Sequence, residues 1–545
     1  MKFYDKISPV FAGKKYDIPT PTLCPDCRKQ RRLSFRNERI LYKKECDFSK
    51  QSVVSIYSPD KDYITYEQNI WWSDKYSPFD YGIDFDFSRP FFEQFQELQK
   101  AVPRISILNG FSDNADYGNH SYYNKNSYYV NSCGYVEDSY YCVTSTNCKN
   151  CVDCLKLTNS QVCYEAINSD NCFHCFYVLN CNNCSYLYLG EDCIGCKNCL
   201  GCKGLNNSEY YILNKPYSKQ DYQKEYDKIF LNNDSKKDFI NKYKKLRLTV
   251  PSKNLNIINS DNIAFSDNIL NSSNLYGCFD CYNGVNLKYC TEMYYQEVEN
   301  CYDYDIWGEN SSYIYEVHCF GNGSKILFSN IIWGGHNIYY CDNCLNNPKD
   351  CFGCVGLKNN EQYCIFNKQY SKQEYEKLVS QIIEHMQNTG EWGEFFPSTL
   401  SPFGYNETVA MEYYPLTKKL ATEKGFKWSD YEQPFPKVQK IIPANKLPEN
   451  IKNIPDDILN RAIQCEITNK LFKITKQELE FYRKHNLPIP KKHFNQRHLE
   501  RMQQRNPRKI FNRKCDKCNK NINSSYSPIR KEIVYCEECY DKEVY

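Results

Sequence analysis

Small and apolar residues recur at every third position through the middle of the chain. No such position between Ala115 and Leu205 is charged. The same stretch is rich in Asn, Ser, Tyr and Val and lacks the periodicity of an amphipathic helix. We therefore predict that these positions point inward in a parallel β-solenoid. One series of inward positions is Cys133, Val136, Ser139, Cys142, Ser145, Cys148 and Cys151.

Cysteines in this segment also recur every 21 residues, and a fixed period of this size indicates stacked repeats. The clearest column is Cys133, Cys154, Cys175 and Cys196. We predict that each 21-residue unit forms one coil of the solenoid. A second half with the same triplet pattern begins near Pro251.

Both halves end alike, and a predicted helix follows each end. The pattern C-x-x-C-x-G-L closes the first half at Leu205 and the second half at Leu357. Ser218 and Ser371 then each stand three residues before an acidic residue, which is the spacing of a capping box. We expect these helices to cover strand edges at the ends of the solenoid.

The two ends of the chain are copies of each other. Residues 18–76 align without a gap on residues 487–545, and sixteen positions are identical. Chance would give roughly four identities at ordinary residue frequencies, so the alignment indicates a duplication.

The second copy contains a complete set of zinc ligands. Its spacing, C-x2-C-x17-C-x2-C, brings two pairs of thiolates to one tetrahedral Zn²⁺ in a zinc ribbon. The predicted ligands are Cys515, Cys518, Cys536 and Cys539. The matching positions of the first copy are Cys46, Ser49, Glu67 and Ile70, so we expect that module to fold without metal.

Cys24 and Cys27 form a further C-x-x-C pair, and their counterparts in the second copy are His493 and Gln496. Two thiols are half of a zinc site. Three interpretations stay open: another chain completes the site, other residues of this chain complete it, or the pair holds no metal. A metal site at Cys465 with His493 is the weaker alternative in the second copy.

A basic pattern, R-x3-R-x3-R-N-x-R, occurs once in each copy. Its arginines are Arg28, Arg32, Arg36 and Arg39, and Arg497, Arg501, Arg505 and Arg508. Four-residue spacing places successive guanidiniums on one helix face. The whole chain carries a formal charge of only +3, so this positive charge is local and favours a polyanion such as RNA. The alternative is a helix face docked on acidic parts of the same chain, such as Asp80, Asp84 and Asp86.

The 32 cysteines narrow the choice of compartment. The chain starts without a signal peptide, and no apolar run approaches the ~20 residues that span a bilayer, so we expect a cytoplasmic protein with reduced thiols and no membrane contact. Inside the solenoid a thiol is a small apolar group that suits a packed column. Zinc or an iron–sulfur cluster is the alternative, chiefly at Cys193, Cys196, Cys199 and Cys202.

These patterns predict a mainly β protein. Its core is a two-part, cysteine-rich parallel β-solenoid with helical caps, flanked at both termini by duplicated zinc-ribbon modules. The predicted boundaries are 1–100 for the N-terminal degenerate zinc-ribbon module, 101–216 and 251–369 for the solenoid halves, 217–250 for the first helical cap, 370–450 for the second cap and linker, and 451–545 for the C-terminal zinc-ribbon module.

Four stretches resemble a family of large zinc-ribbon, cysteine-rich repeat proteins of ultrasmall candidate-phylum bacteria. They are CPDCRKQRRLSFRNERILYKKECD, WWSDKYSPFDYGIDFDFSRPFFEQF, TGEWGEFFPSTLSPFGYNETVA and IVYCEECYDKEVY. The resemblance covers nearly the whole chain and implies metal binding in the cysteine knuckles, without implying an activity. This sequence departs from the pattern at Ser49, Glu67, Ile70, Thr468 and Gln496.

Three classes of function fit the sequence. The first is a non-enzymatic zinc protein whose basic ends dock on RNA or a ribonucleoprotein, with the solenoid as a rigid spacer. The second is a protein-interaction scaffold that uses the tyrosine-rich solenoid face. The third is an enzyme using acids such as Asp303, Asp305 and Glu309 beside Trp307, and it is disfavoured because no nucleophile–base pair or glycine-rich phosphate loop is evident. We identify no small-molecule substrate.

Overall fold

The computed structural model describes residues 2–294, 297–435, 438 and 440–544. The chain divides into two compact units, each of which joins one terminal segment to one solenoid half. Unit 1 contains Met1–Ile107, Leu255–Tyr431 and Arg508–Ile510, and unit 2 contains Leu108–Asn254, Glu432–Pro507 and Phe511–Tyr545.

The helices lie mainly outside the solenoid. They are α1 (Lys2–Ile7), α2 (Pro25–Leu33), α3 (Gln68–Trp71), α4 (Phe91–Ala101), α5 (Lys219–Ile229), α6 (Asn233–Leu246), α7 (Lys372–Thr389), α8 (Val409–Tyr413), α9 (Lys418–Glu423), α10 (Lys476–Lys484), α11 (Phe494–Gln504) and α12 (Glu537–Val544).

Most strands before residue 255 belong to the N-terminal segment or to the first solenoid half. The N-terminal strands are β1 (Val10–Phe11), β2 (Lys14–Lys15), β3 (Tyr42–Glu45), β4 (Ser52–Ser55), β5 (Thr65–Tyr66) and β6 (Arg104–Ile105). The following strands are β7 (Asn109–Gly110), β8 (Ser121–Tyr122), β9 (Leu155–Thr158), β10 (Ile167–Asp170), β11 (Phe176–Leu179), β12 (Ser185–Glu191), β13 (Lys197–Lys203), β14 (Glu209–Ile212), β15 (Lys215–Pro216) and β16 (Ser252–Lys253).

The later strands form the second half and the C-terminal segment. Those of the second half are β17 (Ile257–Ile258), β18 (Asp261–Ala264), β19 (Asp267–Leu270), β20 (Ser273–Tyr276), β21 (Phe279–Tyr282), β22 (Gly284–Lys288), β23 (Thr291–Met293), β24 (Val298–Asp305), β25 (Ser311–His318), β26 (Gly323–Asn330), β27 (Gly335–Tyr339), β28 (Lys349–Phe352), β29 (Gln362–Ile365) and β30 (Lys368–Gln369). Those of the C-terminal segment are β31 (Lys440–Pro443), β32 (Arg461–Gln464), β33 (Leu471–Phe472), β34 (Phe511–Lys514), β35 (Asn521–Ser524) and β36 (Val534–Tyr535).

Both halves are parallel β-solenoids, but the predicted coil length is wrong. Leu155 pairs with Ile167, and Ile167 pairs with Leu179, so one coil consists of four triplets rather than seven. Many coils of the second half have the same step, as in the pairing of Ile257 with Ile269, but some are longer, as in the pairing of Leu287 with Cys301. The physical reason for the error is that the predicted and the observed periods are both whole numbers of triplets. The triplet pattern alone therefore fits either.

Most triplets have one inward, one pairing and one left-handed residue. In the triplet 133–135, Cys133 is fully buried, Gly134 pairs with Thr146 of the next coil, and Tyr135 has φ of 55°. The predicted inward positions are thus confirmed. The chain turns a corner at each left-handed position. A residue with a Cβ atom in this conformation lowers the stability of the fold by about 1 kcal/mol.

Asparagine occupies many of these corners because its short amide tolerates the left-handed region best among residues with a side chain. The amides also hydrogen-bond along the solenoid axis. Asn147 Nδ2 donates to Asn159 Oδ1 at 3.1 Å, and Asn262 Nδ2 donates to Asn274 Oδ1 at 2.6 Å. The abundance of asparagine in this chain therefore has a structural role.

The inward cysteines pack as small hydrogen-bonding groups. Cys133 Sγ donates to the carbonyls of Asn131 and Cys142, two residues before it and nine after it, at 3.2 and 3.4 Å. Ser127 Oγ donates to its carbonyls at the same two offsets, at 2.8 and 3.4 Å. Thiol and hydroxyl groups thus occupy equivalent inward positions with the same pattern of hydrogen bonds.

Helices follow both solenoid halves at the predicted residues. Ser218 is the N-cap of α5, and its side chain accepts the Asp221 N–H. Ser371 is the N-cap of α7 and makes both hydrogen bonds of a capping box with Glu374. Helix α5 contacts β14, and α7 contacts β29.

The duplicated ends have the same local fold. In β3 and β4 Tyr42 pairs with Ser55, and in β34 and β35 Phe511 pairs with Ser524, at positions matched by the sequence alignment. Helix α2 packs on β24 and β25 of the second half. In unit 2, residues of α10 and of the segment around it share an aromatic-rich core with the first half.

Candidate metal centre and the two arginine networks

The four predicted zinc ligands come together in one cluster. Cys515 follows β34, Cys518 lies in the turn before β35, Cys536 follows β36, and Cys539 is in the first turn of α12. Their sulfur atoms all lie within 4.8 Å of one another, and Cys518 Sγ is 3.8 Å from Cys536 Sγ. Four sulfurs at about 2.3 Å from a tetrahedral ion lie about 3.8 Å apart, so the cluster has the dimensions of a metal site.

Backbone hydrogen bonds prepare one thiol for ionisation. Burial raises the pKa of Cys515, but N–H groups of Cys518 and Cys536 point at its sulfur and lower its pKa to about 6. The Cys536 N–H lies 3.3 Å from Cys515 Sγ. The hydrogen bond with Cys536 raises the pKa of Cys539 to about 12. A cation is what would allow all four thiols to ionise together.

The degenerate modules keep the backbone turn without the ligands. Cys46 Sγ accepts N–H bonds from Ser49 at 3.4 Å and from Glu67 at 3.3 Å. Cys465 Sγ likewise accepts the Thr468 N–H at 3.4 Å. In the described residues, the C-terminal cluster is the only group of three or more Cys, His, Asp or Glu ligands able to hold an ion. This result gives no support to a metal cluster among the solenoid cysteines.

Cys24 and Cys27 are exposed at the start of α2. Cys24 is the N-cap, and its Sγ accepts the Cys27 N–H at 3.4 Å. This bond lowers the pKa of Cys24, and the hydrogen bond to Cys24 raises the pKa of Cys27. Across the part of the chain that the structure describes, no third ligand completes a metal site with them.

The arginines of α2 are buried against carboxylates of the second solenoid half. Arg28 Nη2 lies 2.7 Å from Asp303. Arg32 is fully buried and binds Asp305 at 2.7 Å, Glu316 at 2.9 Å and Asp303 at 3.2 Å. One guanidinium therefore bridges three carboxylates.

The charges of this network are tightly coupled. Burial raises the pKa of Asp303 to about 6, although Arg32 and Arg28 oppose the shift. Burial also acts on Asp305, but Arg32 and Lys29 outweigh it and lower its pKa. The same carboxylates raise the pKa of Arg32 well above its usual range, although burial opposes them. The arginine therefore stays charged.

Helix α11 builds the same network in unit 2. Arg497 pairs with Asp153, and its guanidinium lies 4.7 Å from the centroid of the Tyr141 ring. Arg501 binds Asp153 at 3.0 Å and Glu165 at 3.1 Å. Both acids sit at left-handed corners, one coil apart. Both copies of the arginine pattern thus bind carboxylates of a solenoid half.

Most remaining arginines of the two patterns are also buried and ion-paired. Arg36 pairs with Glu38, Arg39 with Glu412, and Arg508 with Glu292 and Asp280. Arg505 is half-buried at the C-cap of α11. This placement gives no support to the prediction that the stripes contact phosphates. It matches the alternative of docking within the chain, although mostly on solenoid acids and not on Asp80, Asp84 and Asp86.

The arginine partners went unrecognised in the sequence. Asp153 and Glu165 lie one coil period apart at left-handed positions, and their chain neighbours are uncharged. This spacing is the feature of the sequence that could have identified them as the arginine partners. The sequence singles out Asp303 and Asp305 only as possible acids of an enzyme. In the structure both are fully buried, and Arg32 binds both.

Comparisons with known proteins add no relative. No family model, curated protein or solved structure matches this chain. The resemblance to zinc-ribbon repeat proteins therefore stays a prediction. None of the helices among the described residues is long and apolar enough to cross a membrane.

Proposed function

We propose that this protein is a non-enzymatic, zinc-binding scaffold that holds a partner protein on one corner of its first solenoid half. Zinc in the C-terminal cluster stabilises the fold of its module. The buried arginines hold the duplicated terminal segments on their solenoid halves. A cytoplasmic location is part of the proposal, and it is supported by cysteines that form no disulfide bonds.

Zinc is the metal that best fits four clustered cysteines. Thiolate ligands in a tetrahedral arrangement select zinc or iron, and a closed four-cysteine site without an open position is typical of structural zinc. The cluster lies in a small hairpin module with few buried apolar residues. A metal supplies the folding free energy that such a module lacks.

One observation carries the scaffold proposal, namely an exposed aromatic ladder formed by Phe111, Tyr123 and Tyr135. Their rings stack in sequence, with centroids 5.1 and 5.0 Å apart and interplanar angles of 13° and 7°. They remain 82%, 47% and 53% exposed. Aromatic residues supply much of the free energy of protein interfaces, and a contiguous exposed group of them indicates a docking surface.

The charges beside the ladder favour a protein over a nucleic acid. The adjacent pairing column consists of Asp113, Lys125, Glu137 and Lys149, paired in that order. Lys149 Nζ lies 3.0 Å from Glu137. A phosphate chain would meet a carboxylate at every second coil, whereas a protein surface of mixed charge can match the alternation.

The test is affinity purification of the tagged protein from its native cells, with and without ribonuclease. The variant Phe111→Asn/Tyr123→Asn/Tyr135→Asn should lose the partner protein that the wild type retains. Asparagine already occupies the next corner of this column at Asn147, so the variant should fold normally.

The matched control is Tyr186→Asn with Phe265→Asn. Both residues are exposed aromatics at left-handed corners of other columns. Partner binding should survive in the control and resist ribonuclease. A partner that both variants retain contradicts the proposal. A partner that ribonuclease removes also contradicts it and favours RNA docking.

A further inference from the structure

We propose that Cys24 and Cys27 form a thiol–disulfide redox pair that exchanges with small disulfides, separately from the metal centre. This function lies beyond the scaffold proposed above and does not depend on it. Its substrate class is a low-molecular-weight disulfide such as oxidised glutathione.

Exposure singles out these two thiols. Of all the cysteines, Cys24, Cys27 and Cys518 are exposed, Cys539 is partly exposed, and the others are buried. Cys518 and Cys539 belong to the metal cluster. With that cluster loaded, an external disulfide can reach only Cys24 and Cys27.

The local geometry suits ring closure. Cys24 caps α2 and Cys27 lies in its first turn, with Pro25 fixing the first helical position. Side chains three residues apart at a helix face have Cβ atoms about 5–6 Å apart, close to the range that a disulfide spans after a small adjustment. The Cys27 N–H already points at Cys24 Sγ.

The knuckle is anchored on both sides of the pair. Arg28, the next residue along α2, binds Asp303 and also donates from Nη1 to the Leu23 carbonyl at 2.6 Å. The buried guanidinium of Arg28 therefore links the residue before Cys24 to the residue after Cys27. Such anchoring holds the two thiols together through the reaction.

Cys24 and Cys27 also lack further metal ligands, since no third ligand joins this pair in the described chain. Two thiolates alone hold zinc poorly, because a stable structural site uses four ligands. The pair is therefore free for thiol chemistry.

The reaction balances as two exchanges. The Cys24 thiolate attacks one sulfur of the small disulfide, forms a mixed disulfide and releases one small thiolate. The Cys27 thiolate then attacks Cys24 Sγ, closes the intrachain disulfide and releases the second small thiolate. The protein loses two electrons and two protons, and the small disulfide is reduced to two thiols.

The experiment treats the full-length, zinc-loaded protein with oxidised glutathione and maps its cysteines by mass spectrometry. The expected product has lost two hydrogens, carries one disulfide between Cys24 and Cys27, and retains its zinc. Dithiothreitol should restore both thiols. Cys27→Ser should trap glutathione on Cys24, whereas Cys46→Ser, which removes a buried thiol, should react like wild type.

Two results would overturn this proposal. The first is glutathione on both thiols of the wild type without ring closure. The second is a second zinc per chain that Cys24→Ser removes, because this loss would assign the pair to a metal site shared between chains. Neither result bears on whether the aromatic ladder binds a partner.

Discussion

Removing the guanidinium of Arg32 should destabilise unit 1 strongly. In Arg32→Met, the carboxylates of Asp303, Asp305 and Glu316 lose the cation that bridges them while remaining buried. Breaking a buried ion pair by removing one partner costs about 3–5 kcal/mol. With a urea m-value of about 2–3 kcal/mol/M, the midpoint of unfolding should fall by about 1–2 M.

Tryptophan fluorescence reports the unfolding of unit 1 selectively. All six tryptophans of the chain lie in segments assigned to unit 1. The matched control is Arg89→Met, which removes a partly exposed guanidinium that pairs with Glu93 and Glu97 on the helix surface. Exposed pairs contribute at most about 1 kcal/mol, so the control should unfold close to wild type.

The loss should also depend on pH. Burial raises the pKa of Asp303 and acts in the same direction on Asp305, so without Arg32 these two carboxyls bind protons more readily in the folded state. The deficit should therefore be small at low pH and should grow as pH rises through the raised folded pKa values. If Arg32→Met unfolded at pH 8 at the same urea concentration as wild type, this result would refute the buried network.

Four further outcomes follow from the site and the solenoid. Elemental analysis should find about one zinc per chain, and Cys515→Ser should lose it, because three thiolates leave the site open. Asn147→Ala should cost about 1 kcal/mol in urea unfolding and Asn147→Gly less, since glycine relieves the left-handed corner although both lose the ladder bond. Cys154→Ser should be tolerated, whereas Cys154→Leu should cost about 1–3 kcal/mol or more by overpacking the coil. Burial lowers the pKa of His485 to about 4 from 6.5, so the stability that its neutral form contributes should be complete above pH 6.5 and fall as pH drops toward 4, and His485→Gln should flatten that profile.

The sequence predicted the inward positions of the solenoid because every third residue must be small and uncharged. The cysteines did not reveal the coil length, because they occur at inward positions of many triplets and do not mark which triplets belong to the same column. The corner residues carried that signal. Asn147, Asn159, Asn171 and Asn183 recur at the true coil period, and these are left-handed positions of one column.

The cysteine cluster was predictable because its ligands lie in two local turns at fixed spacing. The environment of the arginines was not predictable, because their partners are remote in sequence. Arg32 and Asp305 are separated by 273 residues. A basic stripe has the same sequence pattern whether it faces solvent or a row of buried carboxylates, and only the tertiary fold distinguishes the two.

The salt dependence of RNA binding by the wild-type protein distinguishes arginine stripes that hold the fold together from stripes that contact phosphates. Fluorescence anisotropy with labelled single-stranded RNA, from low salt to about 0.2 M, measures this dependence. We expect weak binding at low salt and a shallow log–log slope, because the buried arginines release few counterions. Tight binding with a slope of several phosphate contacts, lost in Arg28→Gln/Arg497→Gln while zinc content and fold persist, would contradict it.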